Sequence, residues 1–189
     1  QEDRTGAIYV TPYGGASYVT SFAMDSKYDR QNTIFAADYG VSVQYFLGNY
    51  IGLQTGIEKT TTGFQSKGFF DIDEEFKETY QYVGIPLLFH AGMNEYDDES
   101  VSTHLSIGPK ANFLMSSEDM YQNSLNGDLK KMYFSLELIA GMDIYLSERL
   151  NLRLQEKNSI ALSNIYTSEK VAYKPVRISV IIGLVYKIF

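Results

Sequence analysis

The sequence predicts an all-β protein: an eight-stranded, antiparallel, up-and-down transmembrane β-barrel that takes residues 1–189 as a single domain. Three observations carry this. The last segment, KPVRISVIIGLVYKIF, sets Val176, Ile178, Val180, Ile182, Leu184, Tyr186 and Ile188 on one face and Arg177, Ser179, Gly183 and Lys187 on the other. That period of two marks a strand separating two environments. Seven further segments have strand character, so the total is even, and the connections alternate between long polar stretches and tight turns. A strand that runs to the end of the sequence leaves an edge to be paired, and a closed barrel pairs it with the first strand.

The eight predicted strands cover 6–19, 33–47, 50–65, 76–93, 101–115, 132–146, 150–166 and 175–189, each longer than the strand of an average soluble protein. The first serves as partner for the last. In the second, Phe35, Ala37, Tyr39, Val41, Val43, Tyr45 and Leu47 oppose Asp38, Ser42 and Gln44. The third sets Ile51, Leu53 and Ile57 against Gln54 and Glu58. The fourth contains YVGIPLLFHAGM. In the fifth, Leu105, Ile107, Ala111 and Phe113 oppose Ser106, Lys110 and Asn112; in the sixth, Phe134, Leu136, Leu138, Ala140, Met142, Ile144 and Leu146 oppose Ser135, Glu137, Gly141 and Asp143. The seventh fits less well. Alternation places Leu152, Leu154, Glu156, Asn158, Ile160 and Leu162 on the apolar side and Arg153, Gln155 and Lys157 on the other. A Lys or Arg facing lipid at the bilayer midplane costs about 2–4 kcal/mol, a carboxylate less, so Glu156 predicts a bulge or a shielded site.

Composition narrows the class further. With no cysteine there is no disulfide framework, thiol nucleophile or zinc–thiolate site. The net charge is −7 and no stripe of Lys or Arg appears, so no nucleic-acid surface is expected. No apolar run approaches the length of about 18 residues that a transmembrane helix needs, which leaves barrel strands of about 9–11 residues as the way to cross. The sequence opens on QEDRTGAIYV without an initiator Met, as expected of a mature exported protein after removal of a signal peptide.

Alternation does not say which face points inward, because a soluble lipocalin-like carrier has an apolar lumen. Three features favour a polar interior. The stretches DSKYDRQN, SKGFFDIDEE, SSEDMYQNSLNGDLKK and TSEKVAYK are long and polar while GN and SER are tight, with NEYDDES as the exception. The apolar bands are unbroken. Phe35, Tyr45, Phe89, Phe113, Phe134 and Tyr186 lie near strand ends, where interfacial girdles form. An inward set of Asp38, Glu58, Lys110, Glu137, Asp143, Lys157 and Arg177 would then pair across a narrow lumen that side chains fill, giving a plugged barrel and no open pore.

Other chemistry is sparser. Ser102, His104 and Ser106 share a face and invite a lipid-hydrolase reading, but the sequence assigns no orienting carboxylate, and no enzyme activity is expected. His90 reads as interfacial or lumenal. Asp71, Asp73, Glu74 and Glu75 lie in a long connection without the glycine and final glutamate of an EF-hand loop, so they read as a solvated acidic stretch. Phe69 and Phe70, just before them, are candidates for anchoring a partner. No cofactor or metal is expected.

Four segments in order, YVGIPLLFHAGM, THLSIGPKANFLMS, SLELIAGMDIYLSERLNLRLQEKNSIALSNIY and RISVIIGLVYKIF, resemble strands of the eight-stranded outer-membrane barrels of Bacteroidetes, the PorT-like or porin-family barrels. The likeness runs from residue 80 to 189; residues 1–79 match in spacing and alternation alone. The resemblance implies an outer-membrane location and a C-terminal signal, read by the barrel-insertion machinery, made of Gly183, Tyr186 and Phe189. Here Phe189 follows Tyr186 by three residues where the family has two. The expected role is structural or adhesive, through extracellular loops that meet a surface or envelope protein partner in a lipid setting. An accessory component of a secretion complex, a small-solute channel and a soluble carrier are the alternatives.

Overall fold

Each inward-outward alternation read from the sequence becomes one wall of a closed cylinder. The computed structural model describes residues 4–23, 33–66, 76–92, 101–119, 129–167 and 173–188. Its strands are β1 (Ile8–Ala23), β2 (Ile34–Phe46), β3 (Ile51–Ser66), β4 (Phe76–Gly92), β5 (Val101–Asp119), β6 (Met132–Ser147), β7 (Leu150–Ala161) and β8 (Tyr173–Lys187). They pair in chain order, each antiparallel to the next, and β8 returns to β1 from Tyr9↔Lys187 to Ala23↔Tyr173. Closure leaves neither terminal strand with an open edge.

The orientation question has a direct answer. Ile57, Leu87, Val180 and Phe35 point outward, the last with 82% of its surface exposed, while Asp38, Glu58, Lys110 and Glu137 are buried. The six aromatics predicted for the girdles all face out. A water-soluble protein does not expose a continuous apolar belt of this kind, because patches much above a few hundred Å² drive association. The belt faces hydrocarbon, and the polar rows face one another. A lipocalin-like interior is thereby overturned.

All four prolines, Pro12, Pro86, Pro109 and Pro175, sit within strands, where each removes a ladder donor. The β3–β4 register lapses opposite Pro86, and that between β4 and β5 lapses beside Pro109. The Thr55 hydroxyl donates to the Pro86 carbonyl at 2.8 Å, so a side chain makes good one bond there. Register shifts occur at Gln81/Tyr82 and at Tyr145/Ser147.

Two expectations need correction. The seventh strand does not reach residue 166: β7 ends at Ala161, and the chain turns inward so that Ile165 and Tyr166 are buried. The driving force is burial of two large side chains over the lumen, which a continued strand would have held alternately outward. Nor does a bulge accommodate Glu156. It pairs in unbroken register with Ala140 and Val180, and its carboxylate accepts a hydrogen bond from the Asn158 amide at 3.1 Å on the outer face.

Because every strand hydrogen-bonds on both sides, the barrel should resist detergent until heated. Unboiled protein is expected to migrate apart from boiled protein on a denaturing gel and to fractionate with membranes. Identical migration before and after boiling would count against closure.

Candidate functional site

The lumen is the part of the molecule where chemistry-bearing groups converge, and it is organised in levels. The connections after β2, β4 and β6, short at 47–50 and 148–149, define one end, together with residues 4–8 and 187–188; the connections after β1, β3, β5 and β7 define the other.

At the short-turn end, residues 4–7 lie against the end of β2. Gly6 and Phe46 are tied by a backbone bond of 2.9 Å, and the Arg4 guanidinium sits 5.6 Å from the centre of the Phe46 ring. Phe46 packs edge-on against Tyr9 and His90, and His90 lies 5.2 Å, ring to ring, from His104. Both imidazoles are lumenal and buried. Just above them the Arg153 guanidinium grips Asp143 with two bonds, 2.6 and 2.7 Å, and reaches Gln44 on the far wall at 3.3 Å. The fork of guanidinium donors matches a carboxylate's two oxygens, which makes this geometry the strongest kind of ion pair.

The middle level is a four-charge cluster. Lys110 donates to Glu58 at 2.7 Å and to Glu137 at 2.5 Å; Lys157 donates to Glu58 and lies 3.7 Å from Glu137. Two cations and two carboxylates sum to zero charge. Tyr13 adds a hydroxyl bond to Glu58 at 2.8 Å and places its ring 5.2 Å from the Lys157 ammonium. Glu58 belongs to β3 and Lys157 to β7, strands four apart in a ring of eight, so their bond spans the lumen. Room for the cluster comes from Gly84: a Cβ there would stand 3.0 Å from Glu58 Cγ and 3.1 Å from Lys110 Cδ.

Above it, Arg177 reaches Asp38 at 3.3 Å and the Thr61 carbonyl at 2.6 Å, while the Ser179 hydroxyl donates to Asp38 at 2.9 Å. The long-loop end is closed by tyrosines. Tyr80, Tyr82, Tyr133, Tyr166 and Tyr173 form one buried group with Ala161 and Ile165, and Leu114 and Leu129 pack against it. The Tyr80 and Tyr166 hydroxyls bond at 2.8 Å, and Tyr173 donates to the Gly63 carbonyl at 2.6 Å. A tyrosine suits this place because its ring fills volume while its hydroxyl finds a polar partner.

The structure thus brings all seven sequence-selected charges into the lumen, but as three separate groups: Asp38 with Arg177, the central four, and Asp143 with Arg153. Sequence reasoning placed Arg153 on the inward row without selecting it as a site residue, and it did not see the tyrosine cap. A signal existed for part of the cap, since Tyr80 and Tyr82 are two apart on the inward row of β4; Tyr166 gets there only because the chain after β7 folds inward. Gly183 faces the lumen, where a Cβ would come within 2.8 Å of Thr11 Cγ2, and Tyr186 faces outward between Val10 and Leu150. Phe189, Phe69, Phe70 and the acidic stretch 71–75 lie outside the described residues.

Ser102, His104 and Ser106 do share the inward face of β5, with a carboxylate nearby: His104 Nδ1 is 3.8 Å from Asp143. They do not form a relay. Ser106 bonds His90 at 2.9 Å, whereas His104 Nε2 is engaged by Gln155 at 3.0 Å, so serine and carboxylate belong to different imidazoles. Among the described residues no group of three or more His, Cys, Asp or Glu is arranged to hold a metal ion.

Removing one partner from a buried ion pair strands the other and typically costs about 3–5 kcal/mol. Glu58→Gln should therefore destabilise the folded barrel by about that amount in urea titrations. Pairing it with Lys157→Met restores charge balance and should recover a large part of the loss; simple additivity of the two would show that the groups do not act as a unit.

The outer membrane protein beta-barrel domain family matches residues 1–167. No curated protein matches the chain significantly. Among solved structures, the outer membrane protein OprG of Pseudomonas aeruginosa is similar over 97% of both chains, with a TM-score of 0.60 and 14% identity. Neisserial surface protein A is similar over 94% of this chain and 97% of its own, with a TM-score of 0.58 and 11% identity. Outer Membrane Protein W of E. coli is similar over 97% of this chain and 98% of its own, with a TM-score of 0.52 and 11% identity. At such identities the structural likeness speaks for fold alone. With the family matched over most of its length, the chain belongs to the outer membrane protein β-barrel domain family and resides in the bacterial outer membrane.

Proposed function

We propose that this barrel is a non-conducting scaffold of the outer membrane whose work, structural or adhesive, is done by its long extracellular loops. The observation that carries the reading is that bonds reach across the lumen, between strands three or four apart in the ring, at successive levels: Arg153 to Gln44, Lys157 to Glu58, Arg177 to Thr61 and Tyr173 to Gly63. Eight strands enclose an interior that side chains just fill. Here the filling is held by ion pairs whose separation would leave charges buried without partners.

The long connections are extracellular and the short ones periplasmic in barrels of this kind. Partners on this reading are the outer-membrane lipid, the barrel-insertion machinery, and a surface or envelope protein met by the loops. No catalytic step is assigned, because Ser106 is bonded to His90 while His104, the imidazole beside Asp143, is engaged by Gln155. Placement in the PorT-like branch of Bacteroidetes barrels rests on the four ordered strand motifs, and it favours, as a second reading, an accessory part in a secretion or envelope complex.

Purified protein inserted into planar bilayers is expected to give no unit conductance above the lipid background. Regular, stable steps from the unaltered chain would assign the small-solute channel instead and end the scaffold reading.

A further inference from the structure

The outward face of β7 carries a polar pair in the middle of an apolar row. Leu152 and Leu154 precede it, Ile160 and Leu162 follow it, and Glu156 and Asn158 lie between. The flanking strands offer nothing to screen them. Glu156 is beside Ala140, a single methyl, and Val180; Asn158 is beside Leu138 and Ile178. The one bond made is Asn158 Nδ2 to Glu156 Oε1, at 3.1 Å. It uses one carboxylate oxygen and one amide hydrogen. Glu156 Oε2, the second amide hydrogen and the Asn158 carbonyl have no partner among the described residues.

Two other outward groups with polar atoms are handled differently. Thr55 bonds the Pro86 carbonyl, and the Lys59 ammonium rests 5.8 Å from the centre of the Tyr39 ring, with the long Lys59 stem able to rise toward the membrane surface. Glu156 is too short and too central to reach either surface. In hydrocarbon its remaining hydrogen-bonding capacity is met only by another polypeptide.

We propose that the β7 face, centred on Glu156 and Asn158, is a lateral interface for a second copy of this chain in the membrane. Complementarity selects this occupant. Two copies inserted the same way up are related by a two-fold axis along the membrane normal, which brings β7 to β7 at equal depth. In such an isologous contact residue i meets j and j meets i. Glu156 of one copy then accepts from Asn158 of the other, twice over. Ala140 leaves the space beside the pair open for close approach, as small residues do between membrane segments. The same four groups that are half-satisfied in a monomer satisfy one another in the pair.

The chain has no cysteine, so single-cysteine variants report the contact directly. In native outer membranes, Ala140→Cys beside the pair should be linked by a short bis-maleimide into a species of twice the monomer mass. Ile57→Cys, outward on the opposite wall, should not be. Adding Glu156→Leu and Asn158→Leu to Ala140→Cys should lower the linked fraction at least tenfold while heat-modifiable migration persists, which separates loss of contact from loss of fold. Equal linking at positions 140 and 57, no linking at 140, an adduct of another mass, or linking indifferent to the leucine changes would each overturn the proposal.

Discussion

The tie between Lys157 and Glu58 across the lumen is the constraint around which the interior is arranged. Each of these groups is almost wholly removed from solvent, and neither is tolerable there alone. Lys110 and Glu137 complete a neutral set, so that every charge has an opposite within reach. Gly84 is glycine because Glu58 and Lys110 need its volume, and Tyr13 is tyrosine because Glu58 Oε2 takes its hydroxyl. Registers of five strands are implicated at once: β1 through Tyr13, β3, β5, β6 and β7. A slip of one residue in β3, β5, β6 or β7 would turn a charge out to lipid, and in β6 it would bring Leu136 or Leu138 in to the charges.

Below and above this level the same logic repeats with different chemistry. Arg153 binds Asp143 through two parallel bonds and still reaches β2, while Arg177 divides its donors between Asp38 and a backbone carbonyl on β3. At the end away from the short turns the solution changes from ions to rings. The tyrosine group includes Tyr166, supplied by a segment that has left the barrel wall, with Leu129 and Tyr166 forming an isolated bridge.

The outer surface is governed by the opposite requirement. Leucine, isoleucine and valine rows face hydrocarbon, aromatics collect near the strand ends, and backbone groups are spent within the closed ladder. Against that background the Glu156–Asn158 pair is an exception that the barrel itself does not resolve. Sequence alternation located it without difficulty. The remedies expected for it, a bulge or a shield, failed because strand pairing is continuous through Glu156 and its neighbours are too small or too apolar to cover it.

Strand number, order, face assignment and the identity of the inward charges were legible in the amino-acid order, because a period of two is a local property and each strand declares its own two faces. Which charges meet was not legible. Glu58 and Lys157 are 99 positions apart, and Gln44 and Arg153 are 109 apart; only closure of the cylinder brings β3 and β2 opposite β7. The split of the inward residues into three ionic groups, the division of Ser106 and Asp143 between two imidazoles, and the inward fold after Ala161 that completes the tyrosine cap were likewise decided in three dimensions. They depend on the depth at which each strand's row sits relative to the rows across the lumen. No stretch of chain carries that information by itself.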